Sequence, residues 1–190
     1  MKWIGERISV VEDKDKSTFV IYPEKKAWAT GLIGAWCAMW LSIGAIMAWA
    51  MYTLELTQQE FIITVIFMAF WVYYAQRVGR SFLWMMYGRE LIKINEAAFY
   101  VKRSIKGYGK AHSYFLENIE RMRMETPKTN SFQEAWEKSP WVVGGERVMF
   151  EHKGKVIRFG RKLDEKDAKL MFNMITKRIE ARVRAIKKNS

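Results

Sequence analysis

The side chains able to do chemistry are few and scattered. His112 and His152 each lie in a short strand-like run with no cysteine or carboxylate at metal-ligand spacing, so both read as surface or packing residues rather than ligands. No serine stands in a nucleophile-elbow pattern, and Gly144-Gly145 lacks the Lys-Ser/Thr sequel of a phosphate loop. Glu165 and Asp167 open a helical pattern, where carboxylates serve the positive end of the helix dipole better than acid–base work. The single cysteine, Cys37, sits inside an apolar run; that rules out a disulfide framework and leaves a small packing residue. These patterns assign no catalytic residue, no metal ligand and no cofactor.

The remaining chemistry is that of cations. Residues 89–190 hold 24 Lys/Arg against 13 Asp/Glu, which carries nearly all of the net charge of +12. Lys102, Arg103, Lys106, Lys110, Arg158, Arg161 and Lys162 are the candidates for contact with lipid headgroups or phosphate, each well-placed cation near an anionic leaflet adding about 1 kcal/mol. A narrower reading places a phosphate pocket near the hairpin at residues 155–162. Nucleic acid is disfavoured, because the aromatics do not interleave with the cations as a stacking platform requires.

What must position these cations is a chain of two unlike halves. Residues 27–54 contain no charge over 28 residues, a helix of about 42 Å, enough to span about 30 Å of hydrocarbon with tilt. Residues 61–76 give 16 uncharged residues, about 24 Å of helix, short unless Arg77 snorkels and residues 57–59 extend the other end. The connection at residues 55–60 is acidic, while Lys25, Lys26, Arg77, Arg80 and Arg89 flank the opposite ends. The positive-inside rule then puts both termini and the C-terminal domain in the cytoplasm. Residues 1–26 mix six basic with five acidic residues; without an apolar core they do not read as a cleavable signal.

The first span has small residues at four-residue spacing. Gly31, Gly34, Ala35, Ala38 and Ser42, with Trp36 and Trp40 one turn apart, form a candidate helix-packing interface, since small residues let backbones approach in lipid. The helix they meet is either the second span or one from another subunit. The second span is expected to run on to Tyr87 as a collar at the membrane surface, stopping at Gly88.

After Gly88 the period changes to two. Strands are predicted over residues 90–95, 98–105, 112–116, 118–126, 146–152 and 155–161, the last pair joined by Lys153-Gly154 as a hairpin. A final helix of about 25 residues follows Asp164, its apolar stripe running through Ala168, Met171, Phe172, Ile175, Ile179, Val183 and Ile186. Between the strands, residues 127–143 interrupt the pattern with Phe132, Trp136 and Trp141, a candidate partner interface.

Antiparallel strands closed by one C-terminal helix resemble the pleckstrin-homology-like (PH-like) domains of small bacterial membrane proteins. The resemblance rests on Gly88-Arg89-Glu90-Leu91-Ile92-Lys93-Ile94 and on Gly154-Lys155-Val156-Ile157-Arg158-Phe159-Gly160-Arg161-Lys162-Leu163-Asp164. It covers about half the chain and implies a binding or scaffolding module without a common ligand. The expected fold class is a membrane α-helical hairpin plus an α+β domain, an antiparallel PH-like β-barrel or sheet closed by a C-terminal helix. Its expected parts are a cytoplasmic N-terminal segment (1–26), the hairpin with its interfacial extension (27–88) and the basic domain (89–190). The expected function is a non-enzymatic accessory or assembly subunit of the bacterial inner membrane, partnered by other membrane subunits and anionic lipid. The alternative is a membrane-tethered lipid- or phosphate-binding sensor.

Overall fold

The computed structural model describes residues 2–13, 16–24, 27–125, 127, 131–139 and 144–189. The chain divides into two compact units, residues 25–86 and the remainder, so one unit is interrupted by the other.

The interrupted unit is built on strand pairing. Strands β1 (Lys2–Ile4), β2 (Ile8–Glu12) and β3 (Ser17–Ile21) precede the apolar helices; β4 (Gly88–Ile94), β5 (Ala98–Ile105) and β6 (Ala111–Phe115) follow them. All six form one antiparallel sheet in the order β1-β2-β3-β4-β5-β6. A 3-10 turn at Leu116–Asn118 leads to a second antiparallel sheet of β7 (Ile119–Met124), β8 (Glu146–His152) and β9 (Lys155–Arg161). Helix α3 (Phe132–Lys138) lies between β7 and β8, and α4 (Glu165–Asn189) closes the chain.

This corrects the division expected from sequence. Residues 1–26 are not a separate cytoplasmic segment: three strands from this stretch join the sheet, with Phe19 opposite Ile92 and Ile21 opposite Glu90. The cause is the alternation of Ile8 and Val10, and of Phe19 and Ile21, all buried at 3% exposure or less. Apolar alternation in so short a stretch needs a partner strand to bury it. That partner is β4, more than sixty residues away.

Alternation sets the core. Ile92, Ile94, Phe99 and Val101 from the first sheet meet Val148, Phe150 and Phe159 from the second, and Ala168, Met171, Ile175 and Ile179 of α4 complete the cluster. Phe99 meets Phe150 edge-on, with ring centroids 5.4 Å apart. Each such ring contributes roughly 1.5–3 kcal/mol through burial. The expected α+β layout and the apolar stripe of α4 are both present; strands β5, β8 and β9 have the bounds read from sequence.

The second unit is a pair of helices, α1 (Ala27–Thr53) and α2 (Gln58–Tyr87), each long and apolar enough to cross a membrane. Helix α2 is one element of 30 residues, about 45 Å long, and runs on to Tyr87 as expected. It begins at Gln58, within the extension read at residues 57–59. Thr57 and Glu60 form a reciprocal cap: Thr57 N–H donates to Glu60 Oε2 at 2.9 Å and Glu60 N–H to Thr57 Oγ1 at 3.4 Å. Besides Gly79, Ser81 and Trp84 near its C-terminal end, the less exposed residues of α2 are Thr64, Met68, Trp71, Ala75, Val78, Phe82 and Met85. Their alternating four- and three-residue steps make the seam of closely aligned helices.

Candidate interaction surfaces

The inward-facing rows of β4, β5, β8 and β9 each run from apolar residues into a charge. On β4 the row Ile94, Ile92 continues to Glu90, and on β5 the row Phe99, Val101 continues to Arg103; these two residues are register partners. On β8 and β9 the rows end in Glu146 and Arg161, again register partners. The four meet where the two sheets come together. Arg103 Nε donates to Glu90 Oε1 at 3.1 Å and Arg103 Nη2 lies 3.1 Å from Glu146 Oε1, which is also 3.3 Å from Arg161 Nη2. The second oxygen of Glu90 accepts the backbone N–H groups of Gly160 at 2.9 Å and Arg161 at 3.0 Å. Gly160 has φ +78°, the left-handed backbone that turns both N–H groups onto one carboxylate oxygen.

This quartet carries two positive and two negative charges and holds the sheets together at the end of the core. Burial, and then the charge of Arg103, lower the pKa of Arg161, while Glu146 and Glu90 oppose the shift. Arg7 completes the seal from the β1–β2 turn. Its guanidinium donates to the carbonyls of Tyr22 and Lys162, and burial lowers its pKa against the pull of Glu24, Asp164 and Asp167. Glu90, Glu146 and Arg7 were not singled out from sequence. The parity of Glu90 with Ile92 and Ile94, and of Glu146 with Val148 and Phe150, was the available signal.

The seven cations expected to form one surface therefore separate. Arg103 and Arg161 belong to the quartet. Lys162 has φ +51° and donates from Nζ to the carbonyl of Ser139 at 2.7 Å, tying the segment after α3 to the end of β9. Arg158 is 3.7 Å from Glu125, both exposed, a pairing worth little in water. Lys102, Lys106 and Lys110 remain together on the hairpin of β5 and β6. Lys102 Nζ donates to the carbonyl of Gly107 at 2.9 Å, and Lys106 Nζ lies 4.2 Å from the centre of the Tyr87 ring. Within residues 155–162, where a phosphate pocket is expected, Arg161 and Lys162 hold protein atoms.

Phe132 and Trp136 stack on α3 with ring centroids 6.0 Å apart and are 81% and 57% exposed. Their mount is fixed: Arg147, 8% exposed, donates from Nη1 to Glu137 Oε2 at 2.7 Å and from Nε to the carbonyl of Leu163 at 3.2 Å. Trp141, the third aromatic of this group, lies outside the described residues.

The small-residue lines of α1 divide between two faces. Gly34 meets the ring of Phe82, and Gly44 leaves room for Trp71, whose indole ring a Cβ there would overlap. Trp36 and Trp40 stack at 5.0 Å, and the indoles of Trp40 and Trp71 each donate to the other's backbone carbonyl, at 3.3 and 2.8 Å. Gly34, Trp36 and Trp40 thus serve the hairpin itself. Gly31, Ala35, Ala38 and Ser42 lie on one exposed face, with Trp28 and Trp49 exposed at its ends.

His112 is exposed on β6, and His152 packs edge-on against Tyr114 at 5.2 Å. No group of three or more His, Cys, Asp or Glu able to hold a metal ion occurs among the described residues. No family model matches the sequence, and neither does any curated protein.

Proposed function

We propose that this chain is a non-enzymatic accessory or assembly subunit of a membrane complex, in which α1 and α2 cross the bacterial inner membrane and the strand domain braces the cytoplasmic face. The observation that carries this reading is the insertion of the helices between β3 and β4, whose facing residues include Ile21 and Glu90. A segment that leaves one strand and returns to its neighbour must cross a bilayer an even number of times. Both halves of the sheet then stay on one side, and the domain is attached through two adjacent strands rather than one flexible linker.

Charge supports the cytoplasmic side. Arg77, Arg80 and Arg89 flank one end of the helices and Glu55 and Glu60 the other, the asymmetry of a cytoplasmic domain and an external turn. Two antiparallel sheets ending in a C-terminal helix support a PH-like scaffold for the domain. The open face of Gly31, Ala35, Ala38 and Ser42 offers a close-packing surface to a helix of a larger complex, and Phe132 and Trp136 offer a second contact from the domain.

Purification in mild detergent from the native membrane, followed by mass determination, tests the proposal. Recovery within a larger assembly is expected, with loss of partners when Ala35→Leu and Ala38→Leu crowd the open face. Recovery as a lone 22.5 kDa chain under all mild conditions would overturn it.

A further inference from the structure

We infer that the β5–β6 turn rests in the headgroup layer of the membrane, with Tyr108 as its interfacial anchor and Lys102, Lys106 and Lys110 facing anionic lipid phosphates. The inference rests on α1 and α2 crossing the membrane. About 20 helical residues cross the hydrocarbon, and counted from Phe61 they end near Ser81, with Arg77 and Arg80 in the last turn snorkelling to the interface. Tyr87, where α2 passes into β4, lies about 9 Å further along the helix, at the outer edge of the headgroup layer and nearer the hydrocarbon if the helix tilts. Lys106 sits directly on that residue, with its Nζ over the ring and its backbone N–H 3.4 Å from the Tyr87 carbonyl.

The turn is built to hold one shape. Ile105 and Tyr108 exchange backbone bonds of 2.9 and 3.0 Å, and both residues between them, Lys106 and Gly107, have positive φ, +50° and +89°, as a tight two-residue hairpin turn requires. Gly109 passes so close to the Arg103 carbonyl that a Cβ would overlap it. This rigid frame leaves Tyr108 86% exposed. An amphipathic ring held outward at minimal entropy cost suits the boundary between water and lipid. No acidic residue occurs from 97 to 116, so nothing within the hairpin offsets the three lysines.

The test uses the full chain with Cys37→Ser and Tyr108→Cys, carrying an environment-sensitive fluorophore at 108. It is reconstituted into phosphatidylcholine vesicles with and without phosphatidylglycerol. A blue shift is expected that grows with phosphatidylglycerol, shrinks with salt and is quenched by nitroxide on the lipid headgroup. The same label at Lys155→Cys, at the far end of β9 from Arg161, should stay solvated. Replacing Lys102, Lys106 and Lys110 with glutamine should remove the phosphatidylglycerol-dependent part; Lys110→Gln alone, which touches none of the turn's bonds, should remove a share of it. Solvated emission from 108 in both vesicles, with the chain retained through carbonate washing, overturns the inference and leaves the hairpin reading intact. A shift indifferent to phosphatidylglycerol, salt and the lysines overturns the phosphate contact. Release of the chain by carbonate overturns the hairpin reading itself.

Discussion

Glu90 faces Arg103 across β4 and β5 on the inward face of each strand, and the carboxylate that binds the guanidinium also binds the backbone of β9. One buried side chain therefore ties the two sheets together. Glu90 is 1% exposed, so its removal leaves Arg103 and two N–H groups short of a partner. Glu90→Ala should destabilise the strand domain by about 3–5 kcal/mol, the cost of breaking a buried pair from one side. Glu90→Gln keeps an acceptor oxygen and should cost less. Combining Glu90→Ala with Arg103→Met should cost less than the sum of the single changes. Unfolding followed by the β-sheet circular dichroism of the full chain in detergent measures all four.

The N-terminal turn makes a second prediction. Gly5 has φ +59°, and a Cβ there would overlap the carboxylate of Asp167 in the first turn of α4. Gly5→Ala should destabilise by about 1–2 kcal/mol from backbone strain alone, with a further loss from the clash. Asp167→Ala should restore the second part and leave the first. Full restoration by Asp167→Ala would show that the turn adapts its backbone, contrary to expectation.

Where interactions are local, the sequence discloses the fold: the Lys153-Gly154 hairpin, the stripe of α4 and the uncharged run of α1 all carry their period in consecutive residues. Pairing of β3 with β4 has no such signature, because sheet partners so far apart share only alternation, which many strands could satisfy. The charged candidates show the same limit. Composition marks Arg103, Arg158, Arg161 and Lys162 as a basic surface, yet the fold gives all four protein partners, only that of Arg158 being an exposed pairing. Parity could have separated them, since Arg103 and Arg161 share the inward faces of Phe99 and Phe159, whereas Lys102 falls on the opposite face. Thr57-Gln58-Gln59-Glu60, by contrast, is a readable cap whose meaning depends only on three-residue spacing.

Within the hairpin, the reciprocal indole–carbonyl bonds of Trp40 and Trp71 predict a spectroscopic effect. The stacked Trp36 and Trp40 rings, 5.0 Å apart with an 11° interplanar angle, should give an exciton couplet in circular dichroism. Trp36→Phe should abolish it. Trp71→Phe should keep the couplet and weaken helix association by roughly 0.5–2 kcal/mol through one lost interhelical bond. Gly44→Leu should displace Trp71 and reduce both signals. A couplet unchanged by Trp36→Phe would refute the stack.

Tyr114 predicts how stability falls in alkali. Its ring meets Phe150 edge-on at 5.3 Å, and burial raises its pKa, only partly offset by the charge of Arg103. The unfolded phenol ionises near pH ~10, and the folded phenol higher. The unfolded state therefore releases the proton first. The contribution is complete below the unfolded pKa and is lost as pH rises through the folded value. Tyr114→Phe should flatten this alkaline decline and remove one late component from a phenolate absorbance titration. An unaltered titration would contradict the burial of Tyr114.

The α3 aromatics separate stability from partnership. Phe132 and Trp136 are exposed, so Phe132→Ser and Trp136→Ser should each change stability by about 0.5 kcal/mol or less. Their loss should nevertheless reduce co-purification of partner subunits if they anchor a contact. Glu137 makes the complementary case. It is bonded to the buried Arg147, so Glu137→Ala should lower stability by about 1–3 kcal/mol and weaken partner recovery only through disturbance of α3. Glu137→Gln keeps a hydrogen-bond acceptor and should restore most of both. If Trp136→Ser instead lowers thermal stability as far as Glu137→Ala does, its ring is packing the domain, and α3 is not a contact surface.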